Sequence, residues 1–499
     1  MCALVRLPVY GFAWYTKVMH SEALLFLAVG ILLASSVLMA LAAIRVSIPF
    51  LVIFLGIGML LGVDGLRMVS PPDAQVARTI GVAALALILF EGGMSTSFRR
   101  LRTSALPAAL LSTVGVVVTA LGVGVLARWL FGWPWLEAFL LGAVISSTDA
   151  AAIFATLRQT KISRHTARVL EAESGLNDPV AIAFTLGLIT WLTEPGAGFG
   201  SFMQILAQQT ILGIAVGVLL GLAAMRVYAH IPTSIGSFAP VISIATCAIT
   251  YGLADIIGGS GFMAVYIVGL AIGSTASRYR GQLTVFHEGV AFLAQVLLFI
   301  LLGLFAVPHN LDGVALPSVI LMLGLVFVVR PLAVWISTAP LAFTRGERLM
   351  LSWAGLKGAV PIVFAGIVLA SGVERGRTIF DVVFFVVILS TLLQGTTLSW
   401  LAKKLGLIEP SELPVHKEPL SKPAHFRMVV QPSHAIAGVM LHEIGLPPWA
   451  RIARVTRDGK KRQLEATMLL EPGDTISVAY PPALQPELED VVSRWRRRI

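Results

Sequence analysis

Long apolar stretches alternate with short polar segments along the first 400 residues of the chain. Each stretch has roughly the 20 residues that an α-helix needs to span the hydrocarbon core of a bilayer. The pattern predicts thirteen transmembrane helices, called spans 1 to 13. They cover residues 21–44, 47–64, 76–94, 105–131, 136–157, 167–192, 202–229, 236–257, 260–275, 284–307, 314–343, 347–370 and 381–402.

The composition agrees with a membrane protein. The chain of 499 residues is 57% hydrophobic and only 13% charged, whereas a soluble domain carries about 25% charged residues. Its two cysteines, Cys2 and Cys247, are too few for a disulfide framework or a cysteine metal cluster. Nucleotide-loop and nucleophile-elbow motifs are missing from the sequence. We therefore expect a polytopic α-helical membrane protein without a cofactor, and neither ATP-driven transport nor hydrolytic chemistry.

Lys and Arg residues are distributed unevenly among the predicted loops. One set of alternate loops carries more than twice as many of them as the other, and cytoplasmic loops hold this excess in membrane proteins. The bias predicts a cytoplasmic C-terminus and an N-terminus outside the cell. It also accounts for most of the net charge of +10, so nucleic-acid binding is not expected.

Span 6 carries polar groups at membrane depth, in the run Glu173-Ser174-Gly175-Leu176-Asn177-Asp178-Pro179. Glu173 lies four residues before Asn177, and each such pair stacks on one helix face. Ser174 and Asp178 have the same spacing. Pro179 has no N–H, which leaves a carbonyl oxygen one turn earlier free. Ionisable groups inside a membrane usually line an ion or proton path, so these oxygens indicate a transporter of a monovalent cation or of protons.

Spans 5 and 12 are both interrupted. Span 5 contains Ser146-Ser147-Thr148-Asp149, and span 12 contains Gly355-Leu356-Lys357-Gly358-Ala359-Val360-Pro361. Interruptions in corresponding helices are typical of transporters built from two inverted repeats, which would be spans 1–6 and 8–13. Two roles are open for Asp149 and Lys357. They could take part in transport, or they could only offset the N-terminal and C-terminal dipole ends of half-helices.

Arg330 lies deep in span 11 and needs a buried partner, because an unpaired charge there is very unfavourable. Glu173 is the predicted partner, which would make the pair structural and leave Asp178 as the titrating group. The alternative is that Glu173 lies near the cytoplasmic end of span 6 and pairs with Arg168.

The composition changes after Leu405, where proline and charged residues indicate a linker. The segment beyond reads as a small soluble α/β unit. Its predicted elements are strands at Phe426–Val430, Arg451–Thr456 and Thr475–Ala479 and a helix at 484–494. The predicted organisation is a transmembrane domain at 1–405, a linker at 406–424 and a C-terminal domain at 425–495.

The motifs of spans 5, 6 and 12 resemble those of the bacterial monovalent cation:proton antiporter family, in the branch with an Asn-Asp motif. The resemblance covers spans 1–13 and rests on Ser147-Thr148-Asp149-Ala150, on Glu173-Ser174 with Asn177-Asp178-Pro179, and on Gly355 to Pro361. It implies a homodimer in the bacterial cytoplasmic (inner) membrane, with a core of spans 5, 6, 12 and 13 that moves against a dimerising scaffold. It also implies an ion and proton site in which Asp178 is the carrier. The residues around it would be Thr148, Asp149, Ser174 and Asn177.

The C-terminal segment resembles the C-terminal half of a regulator-of-K+-conductance domain (TrkA-C type). The matching residues are Gly438, Leu441, Glu443, Gly445-Leu446-Pro447 and Leu470-Glu471-Pro472-Gly473-Asp474. Together with the antiporter motifs, this module is similar to that of the K+/H+ antiporter subgroup. It implies a small soluble regulatory ligand, such as a cyclic dinucleotide or a cation.

Exchange would follow from competition at Asp178, because a buried carboxylate is neutralised by a proton or by a cation but not by both. Relatives with an Asp-Asp pair move additional charge, so Asn177 before Asp178 implies electroneutral, one-for-one export of K+ or Na+ against external protons. The residues leave K+ and Na+ open. A regulated K+ channel or uptake subunit would need a carbonyl-lined filter that the sequence lacks. The third functional class is a ligand sensor, in which the transmembrane part is a degenerate scaffold that no longer transports and the C-terminal domain binds the ligand.

Overall fold

The computed structural model describes residues 30, 34, 50–67, 69, 73–96, 104–149, 162–231, 233–274, 279–306, 312–408, 424–441, 444–447, 450–462, 468–480 and 485–496. Most of predicted span 1, residues 150–157 of predicted span 5 and most of the predicted linker lie outside these residues. The chain divides into two units, Met1–Glu409 and Pro410–Ile499.

The first unit is helical. Its α-helices are α1 (Phe50–Leu61), α2 (Ala74–Ser95), α3 (Ala105–Phe131), α4 (Trp135–Ser146), α5 (Arg164–Thr193), α6 (Phe199–His230), α7 (Ala239–Ile256), α8 (Gly261–Ser274), α9 (Arg280–Phe305), α10 (Asp312–Gly324), α11 (Arg330–Thr338), α12 (Arg345–Trp353), α13 (Ala359–Ala370) and α14 (Gly376–Lys404). A 3-10 turn at Thr233–Phe238 precedes α7. Among the described residues, eight helices are long and apolar enough to cross a membrane, so this is a multi-pass membrane protein.

Predicted span 12 is two helices. α12 ends at Trp353, α13 begins at Ala359, and the residues between them are not helical. Glycine weakens a helix by its backbone freedom, and Pro361 lies in the first turn of α13, where its missing N–H would have no helical partner. Predicted span 11 also divides, into α10 and α11. A π-helical turn at Leu325–Val329 joins them directly before Arg330.

The helices of the first unit pack in two groups. α1, α2 and α6 to α9 form one group, and α3 to α5 with α10 to α14 form the other. Close approach of α2 and α8 depends on glycine, since a Cβ on Gly269 would overlap the carbonyl oxygen of Phe90. Small residues allow membrane helices to approach in this way. α5 and α13 also contact the first group, so these two helices lie where the two groups meet.

The second unit contains a four-stranded antiparallel sheet in the order β1-β4-β2-β3. Its elements are β1 (Ala424–Val429), β2 (Arg451–Arg457), β3 (Lys460–Arg462), β4 (Thr475–Tyr480) and the helix α15 (Gln485–Arg496). Apolar side chains of the sheet, including Val455 and Ile476, share a core with Leu488 and Trp495 of α15. The predicted strands and helix of this segment match β1, β2, β4 and α15 to within two residues at each end.

The sequence analysis missed β3. Asp458 and Gly459 both have positive φ angles, 52° and 75°, and Arg457 pairs with Lys460. A two-residue loop with positive φ at both positions is the tight hairpin that Asp-Gly sequences favour. β3 holds only Lys and Arg residues, so it has no apolar alternation to reveal a strand.

Candidate functional site

The C-terminal end of α4 meets the break between α12 and α13 in the first unit, and the two form a crossing. α4 ends at Ser146, and the chain through Asp149 is not helical. The backbone N–H of Asp149 donates to the carbonyl oxygen of Leu356 at 2.9 Å, which joins the end of α4 to the break between α12 and α13. Short polar side chains compete for backbone hydrogen bonds, so the Ser-Ser-Thr-Asp sequence favours the end of a helix.

Asp149 and Lys357 lie at helix ends of this crossing. Lys357 Nζ donates to the carbonyl oxygens of Ser147 at 2.8 Å and Ser146 at 3.3 Å, at the C-terminal end of α4. The carboxylate of Asp149 lies against Gly358, directly before α13, where a Cβ would overlap it. Helix dipoles stabilise a cation at a C-terminus and an anion at an N-terminus. The geometry therefore fits the helix-end role that the sequence left open for both residues.

Asp178 lies on α5 beside this crossing and is 5% exposed. Its carboxyl group is near enough to interact electrostatically with Asp149 and Lys357. The hydroxyl of Ser147 lies near the same carboxyl group without the geometry of a hydrogen bond. Among the described residues, Asp178 Oδ1 has no hydrogen-bond partner. A buried oxygen without a partner calls for an explanation, and a bound proton or cation would provide one.

Three other predicted site residues form a hydrogen-bonded group that joins α5 to the break after α4. Asn177 Nδ2 donates to Thr148 Oγ1 at 2.7 Å, and Thr148 Oγ1 is 3.1 Å from Ser174 Oγ. All three side chains are buried. The amide oxygen of Asn177 has no partner in the part of the chain that the structure describes. Carboxylate, amide and hydroxyl oxygens suit hard cations, so the site can accept a monovalent cation or a proton.

A buried ion pair lies on the α5 helix one turn before Asn177. Arg330 Nη2 is 2.6 Å from Glu173 Oε1, and it also donates to the carbonyl oxygen of Leu351 at 3.3 Å. Gly355 makes room for the guanidinium, because a Cβ there would contact Arg330 Nε. The pair therefore connects α5, α11 and α12 around the crossing. It is the pair that the sequence analysis preferred over Glu173 with Arg168.

The sequence analysis missed a set of polar residues on α14 that contact the break between α12 and α13. They are Ser390, Thr391 and Gln394, and none is more than 2% exposed. Ser390 and Thr391 lie four and three residues before Gln394, and both spacings place a residue on the same helix face as Gln394. No cluster of three or more His, Cys, Asp or Glu side chains suited to a metal ion occurs within the described residues.

The chain matches the family model for the sodium/hydrogen exchanger, transmembrane, over residues 11–404. The chain belongs to the sodium/hydrogen exchanger family. It is 36% identical over 484 residues to the K(+)/H(+) antiporter NhaP of Alkalimonas amylolytica, covering 95% of this chain and 84% of that relative. It is 35% identical over 465 residues to the K(+)/H(+) antiporter NhaP2 of Shewanella oneidensis, covering 91% of this chain and 80% of that relative.

The fold is similar to that of a solved transporter of this kind, the sodium proton antiporter MjNhaP1 from Methanocaldococcus jannaschii. The TM-score is 0.69 at 23% sequence identity, and the match covers 76% of this chain and 99% of that one. Family and relatives together make this protein a cation:proton antiporter rather than an enzyme. The predicted class, a cation:proton antiporter, is thus confirmed over the alternatives of a K+ channel and a ligand sensor.

Proposed function

We propose that this antiporter exports K+ from the cell in exchange for external protons, with Asp178 as the carrier of both. The observation that carries the proposal is the buried Oδ1 atom of Asp178, which has no hydrogen-bond partner among the described residues and lies beside the crossing of α4 with the break between α12 and α13. K+ is preferred over Na+ because two relatives at 35–36% identity are K(+)/H(+) antiporters. The consequence for the cell is control of internal K+ and pH.

The competition between the two substrates follows from the charges around Asp178. Asp149 and Lys357 are oppositely charged and each faces a helix end, so their roles do not require them to change charge during exchange. Asp178 is then the group whose charge is neutralised, by a proton in one direction and by a cation in the other. Asn177 precedes it in place of a second carboxylate, so one proton replaces one monovalent cation and the exchange is electroneutral.

The neighbouring residues would complete the shell around the cation. Thr148, Ser174 and Asn177 already bond to each other, which orients their oxygens. The Asn177 amide oxygen is free of hydrogen bonds within the described residues. Glu173 and Arg330 would serve the site indirectly, because their pair fixes α5 against α11.

The arrangement in the membrane is part of the same proposal. Thirteen spans in two inverted repeats, a cytoplasmic C-terminus and an external N-terminus are supported by the apolar segments and by the Lys and Arg distribution. The location would be the bacterial inner membrane. A homodimer would hold one group of helices fixed, while the group that contains α4, α5, α13 and α14 carries the ion across.

The second unit would be a cytoplasmic regulatory domain of the TrkA-C type. Two observations support this proposal. The unit combines an antiparallel sheet with α15, and the turn at 471–474 is held by a hydrogen bond that Arg457 donates to Asp474. A small soluble ligand would bind it and alter the transport equilibrium.

Proton flux in proteoliposomes tests the transport proposal. K+, Na+ and Li+ are titrated separately while internal pH and membrane potential are recorded. We expect K+ to drive proton flux at the lowest concentration, without a change in membrane potential. Asp178→Asn should abolish this flux in a protein that remains folded and dimeric, whereas Asp255→Asn, at an exposed carboxylate near the end of α7, should retain it. Near wild-type flux in Asp178→Asn would refute the assignment.

A further inference from the structure

The polar residues of α14 contact the backbone of the break between α12 and α13. The N–H of Lys357 donates to Ser390 Oγ at 3.0 Å, and Ser390 Oγ donates to Gln394 Oε1 at 2.6 Å. Gln394 Nε2 in turn donates to the carbonyl oxygen of Trp353 at 2.8 Å. These three hydrogen bonds form a continuous relay, the Ser390–Gln394 relay, from one side of the break to the other.

The relay joins two particular backbone groups. In an uninterrupted α-helix, each N–H donates to the carbonyl oxygen four residues earlier. For Lys357 that oxygen belongs to Trp353. Two side chains of a neighbouring helix therefore lie between the donor and the acceptor of one of the helical hydrogen bonds that would close the break. Both backbone groups are paired while the helix stays open, which a buried, non-helical segment in a membrane requires.

A second contact holds the other backbone group of Lys357. Thr391 Oγ1 lies 3.3 Å from the Lys357 carbonyl oxygen and 2.7 Å from Val387 O of its own helix, and its one hydroxyl hydrogen is shared between these two acceptors. The N–H and the C=O of Lys357 are thus both held by α14. Its side chain then reaches the carbonyl oxygens at the end of α4. The position of the ammonium group consequently depends on side chains of α14 that do not contact the site themselves.

We infer that Ser390 and Gln394 are positioning residues of the antiporter: they keep the helix open at Lys357 and thereby fix its ammonium group on the end of α4, beside Asp178. This inference deepens the proposed function and rests on Asp178 as the carrier. Loss of the relay removes the acceptor of the Lys357 backbone N–H. The residues between α12 and α13 then shift or become helical, and the Lys357 ammonium group moves away from the end of α4. The charge next to the carrier then changes, although no group of the site has been replaced.

Ser390→Ala is the primary test, in the full-length protein in proteoliposomes. We expect K+-driven proton flux to fall about tenfold or more, since small displacements in a functional site have effects of this size. The pH of half-maximal exchange should also shift, and amide hydrogen exchange at residues 354–358 should become faster. Ser390→Thr keeps the hydroxyl group and should restore all three properties.

Gln394→Asn is the second variant, because it stays polar but is one methylene too short to reach both partners. Thr396→Val is the matched control: Thr396 is exposed on the same helix, and its hydroxyl group bonds to the backbone of α14. An unchanged pH profile in Ser390→Ala and Gln394→Asn overturns the inference, whether or not the maximal rate falls, because a merely structural role would lower the rate alone. Failure of the carrier assignment is separate, since it appears as exchange that persists in Asp178→Asn.

Discussion

The guanidinium of Arg330 lies 2.6 Å from the carboxylate of Glu173, and neither side chain is more than 4% exposed. The pair joins α11, directly after its π-helical turn, to the helix that carries Asp178. Removing one member of an ion pair this deeply buried is strongly unfavourable, because the charge that remains is desolvated and has no partner.

Arg330→Ala should therefore destabilise the protein by about 3–5 kcal/mol, the usual effect of removing one member of a buried pair. The apparent cation affinity of the protein that does fold should change much less. The double change Glu173→Gln with Arg330→Gln leaves no unpaired charge and should recover much of the stability. Thermal unfolding in detergent measures all of these variants. A double variant that is no more stable than either single one contradicts a structural role for the pair.

Gly358→Ala should impair exchange strongly, because the added Cβ would overlap the Asp149 carboxylate. Either the carboxylate or the start of α13 must move, and both belong to the crossing. We expect a loss of about tenfold or more in K+-driven proton flux. Gly366→Ala, within α13, is the control, since a Cβ there meets nothing within 4 Å. Equal fluxes in the two variants would show that the Asp149–Gly358 contact is unimportant.

The second unit should lose stability in acid through Asp474. Burial acts to raise the pKa of Asp474, but hydrogen bonds from Arg457 and from the Glu471 N–H, together with the Arg457 charge, hold the pKa below its ordinary value. The ordinary Asp pKa is about 3.9. A carboxylate whose pKa is lowered by folding stabilises the folded state fully at pH values above its ordinary, unfolded-state pKa. This stabilisation is lost as the pH falls through the pKa of the folded state.

Asp474→Asn should remove this acid dependence and weaken the unit at neutral pH. Amide hydrogen exchange of β4, corrected for its intrinsic pH dependence, measures both effects in the full-length protein. Asp458→Asn is a suitable control, because Asp458 is exposed in the hairpin loop and Asn tolerates its positive φ. If both variants keep the wild-type acid profile, Asp474 does not control it.

Removal of residues 425–499 should leave an antiporter that still exchanges K+ for protons one for one. The site residues all lie in the first unit. The second unit can shift the conformational equilibrium of the first only if it interacts differently with the two conformations. We expect the cation concentration or the pH of half-activation to shift. Flux assays of full-length and truncated protein, both shown to be inserted and dimeric, provide the comparison. Identical activation curves, with and without candidate ligands, would leave the second unit as an assembly element.

Much of the fold could be predicted from local properties of the sequence. Predicted span 4 covers 105–131, and α3 runs from Ala105 to Phe131, because the length of an apolar run is fixed by adjacent residues. β2 and β4 could be predicted as well, because their apolar and β-branched residues are a local property of the sequence. β3 was missed because three charged residues become a strand only when β2 is present to pair with them.

The site was predictable as a set of residues but not as a set of contacts. Glycines and short polar residues marked both helix breaks, since they weaken helices wherever they occur. Ser390 and Gln394 gave no comparable signal, because a hydroxyl or amide group in an apolar helix can bond to its own backbone. Only the packing of α14 against the break shows that their partners are Lys357 and Trp353.

The sequence by itself determined which segments are apolar enough to enter a membrane, which polar groups lie within them and which family motifs they form. Those properties depend on composition and spacing along the chain. Only the tertiary structure decided that Glu173 contacts Arg330, that Lys357 reaches the end of α4, and that α14 completes the broken helix. Each of these contacts joins groups far apart in the sequence, and its existence depends on how the helices pack.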